Sequence, residues 1–120
     1  MQGVMQRGMH GATVALVLEE AARRLGRPVW AHEIVALDYT VVGLHAEIRL
    51  REPVPPEETQ AAREAVGEIA LRLPGYAVEA GAVLFAGEAA DWRLEVFARG
   101  ETTRLPEDRD RRRFEIEPEA

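Results

Sequence analysis

The chain has 120 residues, is 47% hydrophobic and carries a formal net charge of −6, so it suits one domain with its own core, and nucleic acid is not its default partner. Cysteine, serine, asparagine and lysine are all absent. Their absence excludes disulfides, thiolate metal sites, serine or cysteine nucleophiles and Schiff-base lysines.

The first predicted element is a helix over residues 11–25, which follows a flexible N-terminus at 1–10. Apolar residues recur there at helical spacing, and charged residues lie between them. Gly26 and Pro28 are expected to end the helix. Its apolar face is predicted to consist of Val14, Leu18, Ala21, Ala22 and Leu25.

Two strands are predicted next, at 29–38 and 41–51, and their short connection at 38–40 indicates a hairpin. The second strand alternates cleanly between apolar and polar residues. Its inward set is expected to be Val42, Leu44, Ala46, Ile48 and Leu50.

A second helix is predicted from Pro55 to Leu73. Two prolines and two glutamates suit its first turn, and Pro74 with Gly75 would end it. Gly67 is a weak point within this segment. The predicted buried stripe is Ala62, Ala65, Val66, Ile69 and Leu73.

Two further strands are predicted at 77–86 and 92–98. The order α-β-β-α-β-β predicts an α+β two-layer sandwich, in which both helices cover one face of an antiparallel four-stranded sheet. The single domain would span residues 11–100. The charged tail at 101–120 is expected to be disordered or to add a short edge strand.

Several apolar residues remain outside the expected core, because Trp30, Ile34, Val83 and Phe97 cannot all point inward. An uncovered sheet face that carries such residues predicts self-association. The leading hypothesis is therefore a non-enzymatic interaction or assembly domain that forms a homodimer and binds an unknown protein partner.

The first hairpin carries the main polar cluster. If the turn lies between residues 38 and 39, His32 faces His45; if the register shifts by two, His32 faces Glu47. Either register places the three on one face, whereas Glu33 points away unless a bulge turns it. Two imidazoles and a carboxylate suit zinc or a similar divalent ion, so the alternative hypothesis is a metal-binding regulatory domain.

A small enzyme with a glutamate or histidine base is a third hypothesis, and it requires a pocket around those same side chains. The glutamates of the second helix are expected to form a solvated face. No segment is long and apolar enough to cross a bilayer, and the N-terminus lacks a signal-peptide pattern. A cytoplasmic protein from a thermophile-like, GC-rich source is expected.

Two runs resemble the cytoplasmic domain of cation diffusion facilitator transporters: A-H-E-I-V-A-L-D-Y-T-V-V-G-L-H-A-E-I-R-L at 31–50 and P-P-E-E-T-Q-A-A-R-E-A-V-G-E-I-A-L-R-L-P-G-Y at 55–76. The resemblance covers residues 12–86 and lies in the order of elements more than in specific motifs. It implies a dimer that binds zinc-like ions through histidine and aspartate side chains.

Parts of that family's ligand pattern are missing from this chain. His32 and Glu33 stand in place of its His-Asp pair, and His45 lies in the second strand. Gln60 stands where a helix histidine often follows, and the third predicted strand has no histidine. The resemblance therefore supports the predicted fold more than the predicted metal site.

Overall fold

A computed structural model of the chain describes residues 2–40, 43–73, 78–86, 90–98 and 115–116. These residues form two α-helices and six β-strands. In chain order they are α1 (Gln2–Arg24), β1 (His32–Thr40), β2 (Gly43–Leu50), α2 (Pro56–Gly67), β3 (Ala70–Leu73), β4 (Val78–Ala86), β5 (Asp91–Ala98) and β6 (Glu115–Ile116).

The strands form one antiparallel sheet in the order β1-β2-β5-β4-β3-β6. The β1–β2 and β4–β5 pairs are the two predicted hairpins, and the pairing of β2 with β5 joins them. The predicted α+β class with two helices is confirmed. The predicted four-stranded sheet is wrong, because β3 and β6 extend it to six strands.

A single hydrophobic core lies between the helices and one face of the sheet. Alternate residues of each strand point into it, as the period of two in a β-strand requires. Both helices contribute side chains to this same cluster. Its buried members include Val14, Val17, Leu18, Ala21, Leu44, Ala46, Ile48, Leu50, Ala62, Val66, Leu71, Ala80, Ala82, Leu84, Trp92, Leu94 and Val96.

The first helix begins at Gln2, earlier than the predicted start at residue 11. Its C-terminus was predicted correctly. Gly26 has φ of 67°, its N–H bonds the Arg23 carbonyl at 3.1 Å, and the Arg27 N–H bonds the Ala22 carbonyl at 3.0 Å. These are the hydrogen bonds of a Schellman motif, in which a glycine takes the left-handed conformation just after the helix.

The second helix is shorter than predicted, because it ends at Gly67 and the chain continues as β3. The expected helical stripe through Ile69 and Leu73 is therefore wrong. Gly67 ends the helix because glycine has a low helix propensity. Beyond it, Leu71 is buried in the core as part of a strand that pairs with β4. The predicted stop at Pro74 and Gly75 lies outside the described residues, as does most of the 101–120 tail.

Glu20 on α1 is held by two arginines of the same helix. A hydrogen bond from Arg23 and a second, of 3.0 Å, from Arg24 Nε lower the pKa of Glu20 from 4.5 to about 2, against the opposing effect of burial. Because the folded-state pKa lies below the unfolded one, this carboxylate stabilises the fold above pH 4.5. That contribution is lost as the pH falls toward 2.

We predict that Glu20→Gln lowers the free energy of unfolding by about 1–2 kcal/mol at pH 7, and that this deficit disappears near pH 2. Urea denaturation across this pH range measures it. Glu19→Gln, which changes an exposed carboxylate on the same helix, is the control and should leave the acid-induced loss of stability unchanged. A deficit that stays constant with pH would contradict the prediction.

Gly43 permits the close approach of β2 and β5 at one end of their pairing. A Cβ at this position would lie 2.4 Å from the Val96 carbonyl oxygen, which is a backbone atom and cannot rotate away. Gly67, at the end of α2, has open space around its own Cβ position.

Gly43→Ala is therefore expected to lower the free energy of unfolding by about 1–3 kcal/mol, since the strands must separate locally. Gly67→Ala is the matched control and should raise it by about 0.5 kcal/mol through improved helix propensity. Chemical denaturation of both variants tests the pair. Equal effects of the two substitutions would show that the β2–β5 contact is not the cause.

Candidate functional site

The sheet face opposite the helices, which we call the open face, is the main candidate site. The described residues place no helix or strand over it. Three of its large apolar side chains are substantially exposed: Val35 by 42%, Phe85 by 41% and Phe97 by 40%. The other side chains that it presents are mostly charged. They include Glu33, Asp38, His45, Glu47, Arg49, Arg72, Asp91, Arg93, Glu95 and Glu115, and the smaller apolar residues Ala36 and Val83 also point to this face.

A β-bulge at Val35 determines which β1 side chains reach this face. Asp38 lies opposite His45 and Ala36 opposite Glu47, but Ile34 lies opposite Ile48. The extra residue reverses the alternation of side chains between its two sides. Each β1 side chain before Val35 therefore points to the opposite face from the one it would have in a strand without the bulge.

This reversal separates the predicted metal ligands. His32 lies opposite Leu50, which is buried on the helix side, and its Nδ1 is 2.8 Å from the Trp30 carbonyl oxygen. His45 and Glu47 are on the open face. The predicted register, in which His32 faces His45 or Glu47, is wrong. Glu33 takes the open face instead, where its carboxylate lies 3.9 Å from Arg49.

His45 has a different partner from those expected. Its Nδ1 lies 3.0 Å from Glu95 Oε1, and Asp38 is opposite it on β1. Sequence reasoning missed Glu95, because the pairing of β2 with β5 cannot be read from either hairpin alone. Among the described residues, no three histidine, aspartate or glutamate side chains are arranged to hold a metal ion.

Metal binding by His32, His45 and Glu47 stays a prediction, and isothermal titration with zinc tests it. Because His32 lies across the sheet from the other two, zinc that binds through His45 should be lost in His45→Ala and retained in His32→Ala. Equal loss of binding in both variants would show that the two imidazoles bind one ion, and would contradict the separation described above.

The centre of the open face consists of three consecutive cross-strand pairs of opposite chemistry. Arg49 of β2 lies opposite Asp91 of β5, and His45 lies opposite Glu95. Between them, Glu47 lies opposite Arg93, with acid and base exchanged between the strands. Acidic and basic side chains therefore alternate both along each strand and across the pair. We call these six residues the charge grid.

Ion pairs within the chain already engage much of the grid. Arg49 Nε is 3.6 Å from Asp91, and its Nη1 is 3.9 Å from Glu33. The Arg93 guanidinium lies over the Phe85 ring, 4.9 Å from its centroid. Exposed pairs of this kind contribute little to stability, typically about 0–1 kcal/mol. Their pattern matters more for what the face can bind than for folding.

Apolar residues flank the charge grid on several sides. Phe85 and Val35 line an open pocket of about 410 Å³ that also includes Glu47 and Arg93. Phe97 is paired with Gly43 on one side and Gly81 on the other, so no neighbouring side chain covers its ring from those positions. The face therefore offers two apolar regions beside a charged centre, one at Val35 and Phe85 and the other at Phe97.

The two tryptophans lie on the other side of the sheet and are buried. Their rings pack edge to face, 5.3 Å between centroids, and the Arg27 guanidinium lies 4.7 Å from the centroid of Trp30. Arg27 also pairs with Glu58 at the start of α2. These contacts join α2 to the segment just before β1. Both tryptophans therefore pack in the core and are not part of the open face.

Comparison of the chain with known proteins gave no matching family model, no similar curated protein and no similar solved structure. Neither described helix combines the length and apolar character needed to cross a bilayer. The functional argument therefore rests on the open face itself.

Proposed function

We propose that this chain is a non-enzymatic assembly domain that pairs with a second copy of itself through the open face. The observation that carries the proposal is the exposure of Val35, Phe85 and Phe97, at 40–42% each, on the one sheet face that the described helices leave uncovered. Large apolar residues gathered on one face favour burial against a partner, whereas singly scattered ones need no explanation.

The size of the open face suits a small, reversible interface. Strands β1, β2, β4 and β5 have 8 or 9 residues each. At about 4.8 Å between strands and about 3.4 Å per residue, they cover roughly 500 Å². Stable interfaces bury about 800 Å² of accessible surface on each partner, so this face falls at the weaker end of that range.

The chemistry of the face favours binding over catalysis. Its carboxylates and guanidiniums are arranged in mutual pairs, such as Arg49 with Asp91 and His45 with Glu95. A general base needs a side chain aimed into a pocket that excludes water. The pocket beside Phe85 is instead open to solvent.

We predict that Phe85→Asp and Phe97→Asp, made separately, each weaken self-association by at least about 100-fold. In a symmetric dimer each substitution removes two aromatic rings from the interface and adds two negative charges to it. Sedimentation velocity over a wide concentration range measures this. Val29→Asp is the matched control: Val29 is 41% exposed but lies between α1 and β1, outside the sheet.

A wild-type chain that stays monomeric at millimolar concentration would contradict the proposed function. A dimer that all three variants leave intact would place the interface elsewhere, for example at the exposed edge of β1. Circular dichroism of each variant establishes that the fold is retained, since none of the three residues belongs to the core.

A further inference from the structure

The charge grid restricts how two copies of the open face can meet. Its three rows are Arg49–Asp91, Glu47–Arg93 and His45–Glu95, each with one residue on β2 and one on β5. When two identical faces pack together, a two-fold axis lies between them. The direction of that axis decides which residue of one copy faces which residue of the other.

Consider a two-fold axis that lies between the two faces and runs parallel to the strands, midway between β2 and β5. It sets β2 of one copy over β5 of the other, and each row over the same row of the other copy. Glu47 of one copy then faces Arg93 of the other, and Arg49 faces Asp91. His45 likewise faces Glu95, its hydrogen-bonding partner within the chain. Every member of the charge grid meets a member of opposite chemistry.

Axes in other directions match fewer rows. An axis perpendicular to the strands and midway between the rows Glu47–Arg93 and Arg49–Asp91 sets opposite charges together in those two rows, but it carries the third row off the grid. An axis perpendicular to the strands through the middle row sets Glu47 against Glu47 and Arg93 against Arg93. It also sets Asp91 against Glu95. An axis shifted onto β2 or onto β5 sets each residue of that strand against its own copy. Like charges held opposite one another in an interface strongly oppose association, so the last two arrangements are disfavoured.

Two of the apolar residues, Phe97 and Phe85, fit the same axis, whereas Val83 meets Asp38 of the other copy. In the row next to His45 and Glu95, Gly43 lies opposite Phe97, so the axis places the Phe97 ring of one copy over Gly43 of the other. Glycine offers no side chain there, which leaves space for the ring. The middle row extends outward from Ala36 to Phe85, so the axis sets Phe85 of one copy over Ala36, beside the bulged Val35.

We propose that two copies pack face to face about a two-fold axis that runs along the strands between β2 and β5. This inference rests on the proposed function and adds the orientation of the partner. Aligned sheets cross at about 30° because each sheet is twisted. The charge grid is five residues long on β5, about 14 Å, so this crossing displaces facing side chains at its ends by about 3.5 Å, which is less than the spacing between strands.

The two sets of contacts have different roles in this arrangement. The rings of Phe85 and Phe97 supply most of the affinity, since exposed ion pairs are weak. The charge grid supplies orientation, because all three of its rows match about this axis and fewer match about the others. Exchanging charges within the grid should therefore have a large effect on which copies pair with each other. Its effect on the affinity of the matched pairs should be small.

The test is the charge-swapped variant Glu47→Arg with Arg93→Glu, mixed with the wild type. The swap preserves an acid–base pair between β2 and β5, so the fold should be retained. Swapped copies should dimerise with each other within about threefold of the wild-type affinity. Mixed dimers should fall at least about tenfold below their statistical share, because each contains two like-charge contacts. The swapped and wild-type chains have the same composition and the same mass, so one of them is labelled with ¹⁵N, and native mass spectrometry then counts the three species.

The perpendicular axis through the middle row predicts the opposite outcome, since it makes the mixed dimer the only one without like-charge contacts at these positions. Mixed dimers at or above their statistical share would therefore overturn the proposed orientation. A perpendicular axis between two rows predicts that swapped copies fail to dimerise with each other, which would also overturn the proposed orientation. A dimer that Phe85→Asp disrupts but that mixes freely with the swapped variant would leave the proposed function standing and remove only this inference. A monomeric wild type would remove both and leave the face to a different partner.

The single variants provide an independent measurement if the double variant does not fold. Glu47→Arg alone and Arg93→Glu alone should each weaken self-association by about tenfold or more, because both symmetric contacts become repulsive. An equimolar mixture of the two should recover dimers, since the arginine introduced on β2 of one variant then faces the glutamate introduced on β5 of the other. Single variants that dimerise as well as the wild type would contradict the proposed axis.

Discussion

The pairing of β2 with β5 is the constraint on which the rest of this structure depends. It joins two hairpins that are each local in sequence, and it aligns Leu44 with Val96 and Ile48 with Trp92 on the core side. The same register aligns Glu47 with Arg93 on the open face, because successive residues of a strand point to opposite sides. If β2 shifted by one residue against β5, its core side chains would become exposed and the charge grid would be buried. Burial of the core therefore also determines which side chains lie on the open face.

Much of the fold could be predicted from local patterns, because the period of apolar residues survives in the structure. The β2 alternation through Leu44 and Ile48, and the helix end at Gly26, follow directly from sequence. The segment after Gly67 could not be separated from the helix before it, because its apolar residues fit two patterns. Positions 69, 71 and 73 follow the two-residue period of a strand. Positions 62, 66, 69 and 73 follow the spacing of a helix. Pairing with β4, a tertiary contact, decided between them.

The candidate site was less predictable, because it depends on one inserted residue and on a non-local pairing. No glycine or proline marks the bulge at Val35, yet the bulge moves His32 to the helix side and brings Glu33 to the open face. The partnership of His45 with Glu95 spans 50 residues and follows from the order of the strands. Sequence identified an exposed face with polar and apolar residues, but the composition of that face needed the sheet register.

The open face also shows how one set of residues can serve two purposes. Alternating charges across β2 and β5 satisfy one another within a single chain, which keeps an uncovered sheet from binding arbitrary apolar surfaces. The same residues form a pattern in which all three rows match their own copy about one axis. An all-apolar face would bind more strongly but in many orientations, as specificity requires repulsion in the wrong arrangements as well as attraction in the right one. Three exposed apolar side chains beside a charged centre satisfy both demands.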